Sequence, residues 1–321
     1  ESRGLGDVYK RQIKKSDRME KLENKPGLIA RYAKIITVVA VVFGATSGIL
    51  GSLVEAPSMV TGFWRLTVAL PFFLVPVLVN NEKRGKLKNV SGRDYFWCLV
   101  AGAFLFGHFF SWFSAVKFTN VASASVLAAL HPLVVLLVTV FIYRKKVSLK
   151  SVAAIAVALV GGAIIVGADY SSFAGGSLKG NILAFLAALF MGLYFSVGDS
   201  VRKRVDGGIY VLLVFFACWV CFSLGILITG TPVLGYSTSD YIYILAMTFI
   251  CQIGAHAVFN MCIGYVSSLY VSTWEAGEPV FATIMAVIFL GQVPKSYEII
   301  GCVVVVAALL YYNRQENKRS Q

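Results

Sequence analysis

Four ionisable residues stand near the middle of long apolar stretches of this chain: His108, His131, His256 and Glu278, the first three being all of its histidines. An ionisable side chain at a bilayer centre costs about 2.5–3.5 kcal/mol on insertion scales, so such groups normally face a cavity or a partner. Glu278 lies i+4 from Trp274 and i+8 from Tyr270, which puts all three on one face of a regular helix. Proline has no N–H to donate, so Pro279 leaves the carbonyl of Glu275 free, and Pro132, beside His131, does the same for Ala128. A carboxylate in such surroundings can take up a proton near neutral pH or hold a substrate amine. Gln252, His256 and Asn260 recur at i, i+4 and i+8 as a polar stripe, and His108, Ser111 and Trp112 form a second polar cluster. Trp112 and Trp274 offer ring faces to apolar or cationic parts of a ligand. Arg65 either snorkels outward or binds a substrate carboxylate. Taken singly, each histidine reads as well as a packing group bonded to a carbonyl. Taken together, the set reads as a small-molecule site with protons as a second ligand.

The elements that must position these residues are apolar throughout. Ten stretches, at 33–50, 59–79, 95–117, 121–143, 151–168, 180–200, 209–229, 241–264, 269–290 and 297–312, are each read as a bilayer-spanning helix. A chain that is 58% hydrophobic and only 14% charged is no ordinary soluble domain. A net charge of +13 is compatible with nucleic-acid binding, but twenty-five of the twenty-nine Lys and Arg fall on one side if the spans alternate. The positive-inside rule then predicts a multi-pass protein of the plasma (inner) membrane with both termini cytoplasmic. The charge marks topology and contact with the lipid bilayer, with no nucleic-acid partner. Glu275, nearer the basic side than Glu278, reads as a gate or a solvated residue.

All six cysteines lie in apolar spans, and the Cys218–Cys221 pair, without a second pair or a flanking histidine, reads as packing. No metal site and no cofactor is expected. The chain lacks GxxxxGK[ST], HExxH and GxSxG, so ATP hydrolysis and intramembrane hydrolysis have no visible machinery. An enzyme is therefore disfavoured. Residues 1–18 look like a translated cloning scar ahead of Met19, and 1–32 as a whole reads as a cytoplasmic tail.

A shift of 147 residues aligns 115–147 with 262–294 and places His131-Pro132 on Glu278-Pro279. The chain therefore reads as two copies, 33–168 and 180–312, followed by a tail at 313–321. Each copy has an odd number of spans, so the second enters the membrane inverted. Such repeats give a carrier two packings around a midplane site. Along the two copies run Gly62-Phe63-Trp64-Arg65, Gly107-His108 with Trp112, Ala122 to Pro132, Gly254-Ala255-His256 with Asn260, Glu278 to Ala282 and Phe289 to Pro294. In these motifs and their order the chain resembles the EamA-type branch of the drug/metabolite transporter superfamily. Gln292 and Arg144 depart from the acidic residues that family often has there. The resemblance implies an all-α polytopic membrane protein of ten transmembrane helices in two inverted five-helix repeats. It implies a secondary transporter that exports a small amphipathic metabolite, such as an amino acid or related compound. A channel-like or sensory membrane protein is the alternative.

Overall fold

The computed structural model describes residues 28–119, 121–167, 178–290 and 295–320. The expected N-terminal scar and most of the 169–179 connection lie outside them. Among the described residues the chain forms ten helical rods and no strand. They are α1 (Leu28–Gly44 and Ser47–Leu53), α2 (Ser58–Val79), α3 (Gly92–Phe118), α4 (Val121–Ala128 and His131–Leu137), α5 (Leu149–Gly167), α6 (Leu178–Val201), α7 (Gly207–Thr229), α8 (Thr238–Met247 to Val258–Cys262), α9 (Ser268–Glu275 and Glu278–Leu290) and α10 (Ser296–Ser320). A short surface helix, Asn81–Lys88, joins α2 to α3. Eight rods are long and apolar enough to cross a bilayer; α5 carries a shorter apolar run, and α9 is cut into two pieces. Large apolar side chains such as Phe141, Leu227 and Ile228 face outward, where lipid rather than water can accept them. The protein is a polytopic all-α membrane protein.

Packing follows the repeat. Exchanging α1–α5 for α6–α10 maps the contact of α3 with α6 onto that of α8 with α1, and the contact of α4 with α6 onto that of α9 with α1. The pairs α2 with α7 and α5 with α10 map onto themselves. The α5–α10 contact is close because Gly161 and Gly301 meet there: a Cβ on Gly301 would fall 2.8 Å from the carbonyl oxygen of Gly161. Small residues of this kind let membrane helices approach where no hydrophobic driving force acts between them.

The ends of the rods repeat as well. Ser91 caps α3 and Ser237 caps α8, each accepting from the backbone N–H three residues on at 3.1 Å. The aspartates of these caps then face opposite ends of the molecule. Asp94 takes Arg204 of the α6–α7 connection at 2.6 Å, whereas Asp240 takes the N–H groups of Glu55 and Ala56 at 2.7 and 3.2 Å. At the Asp94 end, Lys145 and Lys203 meet Asp199 at 2.8 and 3.2 Å, and Lys86 approaches Asp206 at 3.8 Å. The basic connections thus gather at one end of the bundle. Lys117, with its Nζ on the carbonyl of Ala56, lies at the other.

Candidate functional site

Three rods break, and the breaks surround one space. In α4 the helix stops at Ala128 and restarts at His131; in α9 it stops at Glu275 and restarts at Glu278, so the two interruptions fall at repeat-related positions. The prolines account for this, since neither Pro132 nor Pro279 can donate to the preceding turn. α1 breaks after Gly44, where Thr46 bonds back to the carbonyl of Phe43 at 2.8 Å. The cavity between these breaks has a volume of about 130 Å³. It is lined by His108, His131, His256, Glu275 and Glu278, by the aromatic walls Phe109, Trp112 and Phe259, and by Gly44, Ser47 and Ile49 around the break of α1.

His131 is held at both ring nitrogens. Its Nδ1 lies 3.0 Å from the carbonyl oxygen of Ala128, the acceptor that Pro132 sets free. A carbonyl only accepts, so Nδ1 carries the proton. Nε2 lies 2.9 Å from Glu275 Oε2, within ion-pair distance but outside hydrogen-bond geometry, with both side chains almost fully buried. This contact ties α4 to α9 beneath the cavity. Across the space, His108 Nδ1 donates to the carbonyl of Ala187 at 2.9 Å, which leaves its Nε2 as an acceptor in the neutral ring. His256 packs beside it, with the ring centroids 6.0 Å apart, and Phe109 meets His256 edge-on at 4.9 Å.

Glu278 starts the second segment of α9, where the helix dipole favours a negative group. Its carboxylate lies against Gly44: a Cβ there would come 2.5 Å from Oε1. Gly44 therefore makes room for the acid at the break of α1. Among the described residues no Lys, Arg or His forms an ion pair with Glu278.

Residues 31–167 and 178–314 each match the EamA-like transporter family. The chain belongs to that family. An uncharacterized transporter of Clostridium kluyveri is 25% identical over 302 residues, spanning 89% of this chain and 94% of its own length. A second uncharacterized transporter, YxxF of Bacillus subtilis, is 25% identical over 284 residues, 86% of this chain and 88% of its own. A protein solved by crystallography superimposes with a TM-score of 0.73 over 91% of this chain and 99% of that one, at 18% identity, a likeness of fold alone.

Within this EamA-like chain the residues singled out from sequence divide into two groups. Glu278, His108, His131, His256 and Trp112 line the cavity. Arg65, Gln252, Asn260 and Trp274 are not among its lining residues. Arg65 neither snorkels nor reaches the cavity: it is 1% exposed, bonds Gln252 Oε1 at 2.9 Å, and stacks on Phe109 and Phe113 at 4.7 and 5.1 Å. Asn260 is fully buried, and the carbonyl of its backbone accepts from Arg202 at 2.8 Å. Trp274 packs with Tyr270 and, on the other side, near Gly277, Val280 and Leu309. The expected common face of Trp274 and Glu278 is lost because α9 breaks between them. Glu275, read from sequence as a gate or solvated group, is instead a buried cavity residue paired with His131. The free carbonyl left by each proline was the available signal, but it pointed to an acceptor and not to the side chain that would reach it.

Proposed function

We propose that this transporter is a secondary carrier that exports a small amphipathic metabolite, such as an amino acid or related compound, across the plasma membrane by alternating access. The observation that carries this reading is the single cavity formed where α1, α4 and α9 break, with ionisable groups of both repeats on its walls. Carriers bind at such repeat interfaces, on broken helices near the midplane. Glu278 serves as the substrate or proton site, with His256, His108 and the His131–Glu275 pair as polar partners. Its carboxylate supports that role, because an intramembrane acid without a cation partner needs a ligand or a proton.

The conformer fits a state closed toward the basic end. There Asp199 accepts from the N–H of Ser268 at 3.2 Å, Tyr143 donates to the carbonyl of Ser196 at 2.6 Å, and Arg202 reaches the carbonyl of Met261 at 3.2 Å. The cavity lies beyond these contacts, among the outer parts of α1, α3 and α4. Opening inward would require that cluster to part while the α1, α4 and α9 segments close over the site.

Two measurements test the reading. Full-length protein in liposomes, preloaded with unlabelled compound from a panel of amino acids and amines, should accelerate uptake of the same labelled compound, and uptake should saturate. Flux that rises linearly and ignores preloading would mean a pore. The basic end should also be cytoplasmic, with both termini. In intact cells, and in a background without native thiols, an impermeant reagent should label Leu234→Cys and leave Lys88→Cys untouched. The reverse pattern would invert the topology.

A further inference from the structure

The charge inventory of the cavity narrows its ligand, on the assumption that the cavity is the carrier's binding site. Its lining holds two carboxylates, Glu275 and Glu278, and no Lys or Arg. His131 is committed to Glu275 and to the carbonyl of Ala128. The Nδ1 of His108 is committed to the carbonyl of Ala187. Arg65, the one guanidinium nearby, is held behind Phe109 by Gln252 and two aromatic faces. His256 also lines the space, with its Nδ1 unbonded among the described residues. Unless His108 or His256 takes up a proton, a ligand carboxylate would therefore enter as a third acid with no fixed cation to meet it, and burying an unpaired charge is strongly unfavourable. Glu278 has the opposite need. Around the same space lie Phe109, Trp112 and Phe259, of which Trp112 keeps the most accessible surface for an apolar or cationic group.

Size sets the second limit. A cavity of about 130 Å³ is comparable with the roughly 150 Å³ apolar cavity that accepts benzene, a molecule of about six heavy atoms. We propose that the cavity binds a small organic ammonium ion that bears no carboxylate, with its charge at Glu278 and its apolar body against Phe109, Trp112 and Phe259. This excludes the zwitterionic amino acids from the wider class of small amphipathic metabolites and keeps their amines.

Three ring compounds of matched shape test the assignment by calorimetry on full-length protein in lipid nanodiscs. Piperidinium carries the charge, tetrahydropyran replaces it with a neutral oxygen, and pipecolate adds a carboxylate. Piperidinium should bind saturably, and the other two should bind about 30-fold more weakly or less well still, the equivalent of one desolvated cation–aromatic contact. Glu278→Gln should lose piperidinium by at least the same factor, and Glu278→Asp should retain part of the affinity. Pipecolate or tetrahydropyran binding as tightly as piperidinium overturns the proposal, as does no piperidinium binding to the wild-type protein. Undiminished piperidinium binding by Glu278→Gln overturns it too.

Flux of labelled tetramethylammonium, whose permanent charge keeps it from crossing lipid unaided, separates this proposal from the carrier reading. Saturable, trans-stimulated tetramethylammonium flux supports both. Piperidinium binding with linear tetramethylammonium flux removes the carrier and leaves the cation site. Trans-stimulated flux of zwitterions without piperidinium binding removes the cation site and leaves the carrier.

Discussion

Replacing Glu278 with glutamine is expected to lower transport by about two orders of magnitude, the usual effect of removing one partner from a buried charged contact. Expression and thermal stability should stay near those of the unmodified protein. Glutamine matches glutamate in shape, so the fit against Gly44 survives. No ion pair is broken either, because Glu278 makes none among the described residues. What disappears is a negative charge open to the cavity. The measurement is counterflow in liposomes from about pH 5.5 to 8, since a carboxylate that takes up a proton gives the wild type a pH response that an amide cannot have. Equal rates for the variant and the wild type across that range would make Glu278 a structural residue. A proton-coupled cycle makes one further demand: the glutamine variant should stop responding to an imposed pH gradient.

The second large effect concerns the pair beneath the cavity. His131→Ala strands Glu275, and Glu275→Ala strands the Nε2 of His131, in a region where both are almost fully shielded. Breaking a buried ion pair from one side costs about 3–5 kcal/mol. An ordinary interhelical hydrogen bond in a membrane protein averages about 0.6 kcal/mol in double-mutant cycles. The two magnitudes are far enough apart for a cycle to distinguish them. We expect each single variant to lose about 3 kcal/mol in unfolding measurements, and the double variant to recover much of that loss. A coupling energy near the lower figure would show that the 2.9 Å contact is not a buried ion pair. Transport should fail in both single variants, because this contact is what joins the broken rods α4 and α9 under the site.

The coarse architecture was legible because its signals are long. Ten apolar runs, one-sided basic residues and a shift of 147 residues each average over many positions. The structure sets the ten rods at those runs and gathers the basic connections at one end. The site was legible only where it depended on which residues are ionisable. It was illegible where it depended on helical phase. The stripe Gln252, His256 and Asn260 presumes turns of 3.6 residues, yet Thr248–Ala257 is wound as a π-helix with bonds to i+5. In that setting Gln252 meets Arg65 of α2 and His256 lines the cavity, while Asn260 is not among the lining residues. The same failure separates Trp274 from Glu278, across a break that proline announces but whose direction it does not specify. Proline reports a missing hydrogen bond. It says nothing of how the next segment rotates.

The two repeats are not equally irregular. α1 breaks after Gly44 whereas its counterpart α6 runs unbroken, and α8 contains the π-helical segment that α3 lacks. In the proposed alternating cycle the inward- and outward-facing packings would therefore be different structures with different energies, and a gap of about 1.4 kcal/mol would already set a tenfold difference in their resting occupancy. This has a kinetic signature. A passive cycle must have the same kcat/KM at its two faces, or it would drive net flow with no gradient. Unequal occupancy leaves that ratio alone and moves its two factors together, so one face saturates at lower concentration and turns over more slowly. Sidedness of KM thus belongs to the chain, through the break in α1 and the π-helix in α8, whereas the direction of net flow belongs to the gradients across the membrane.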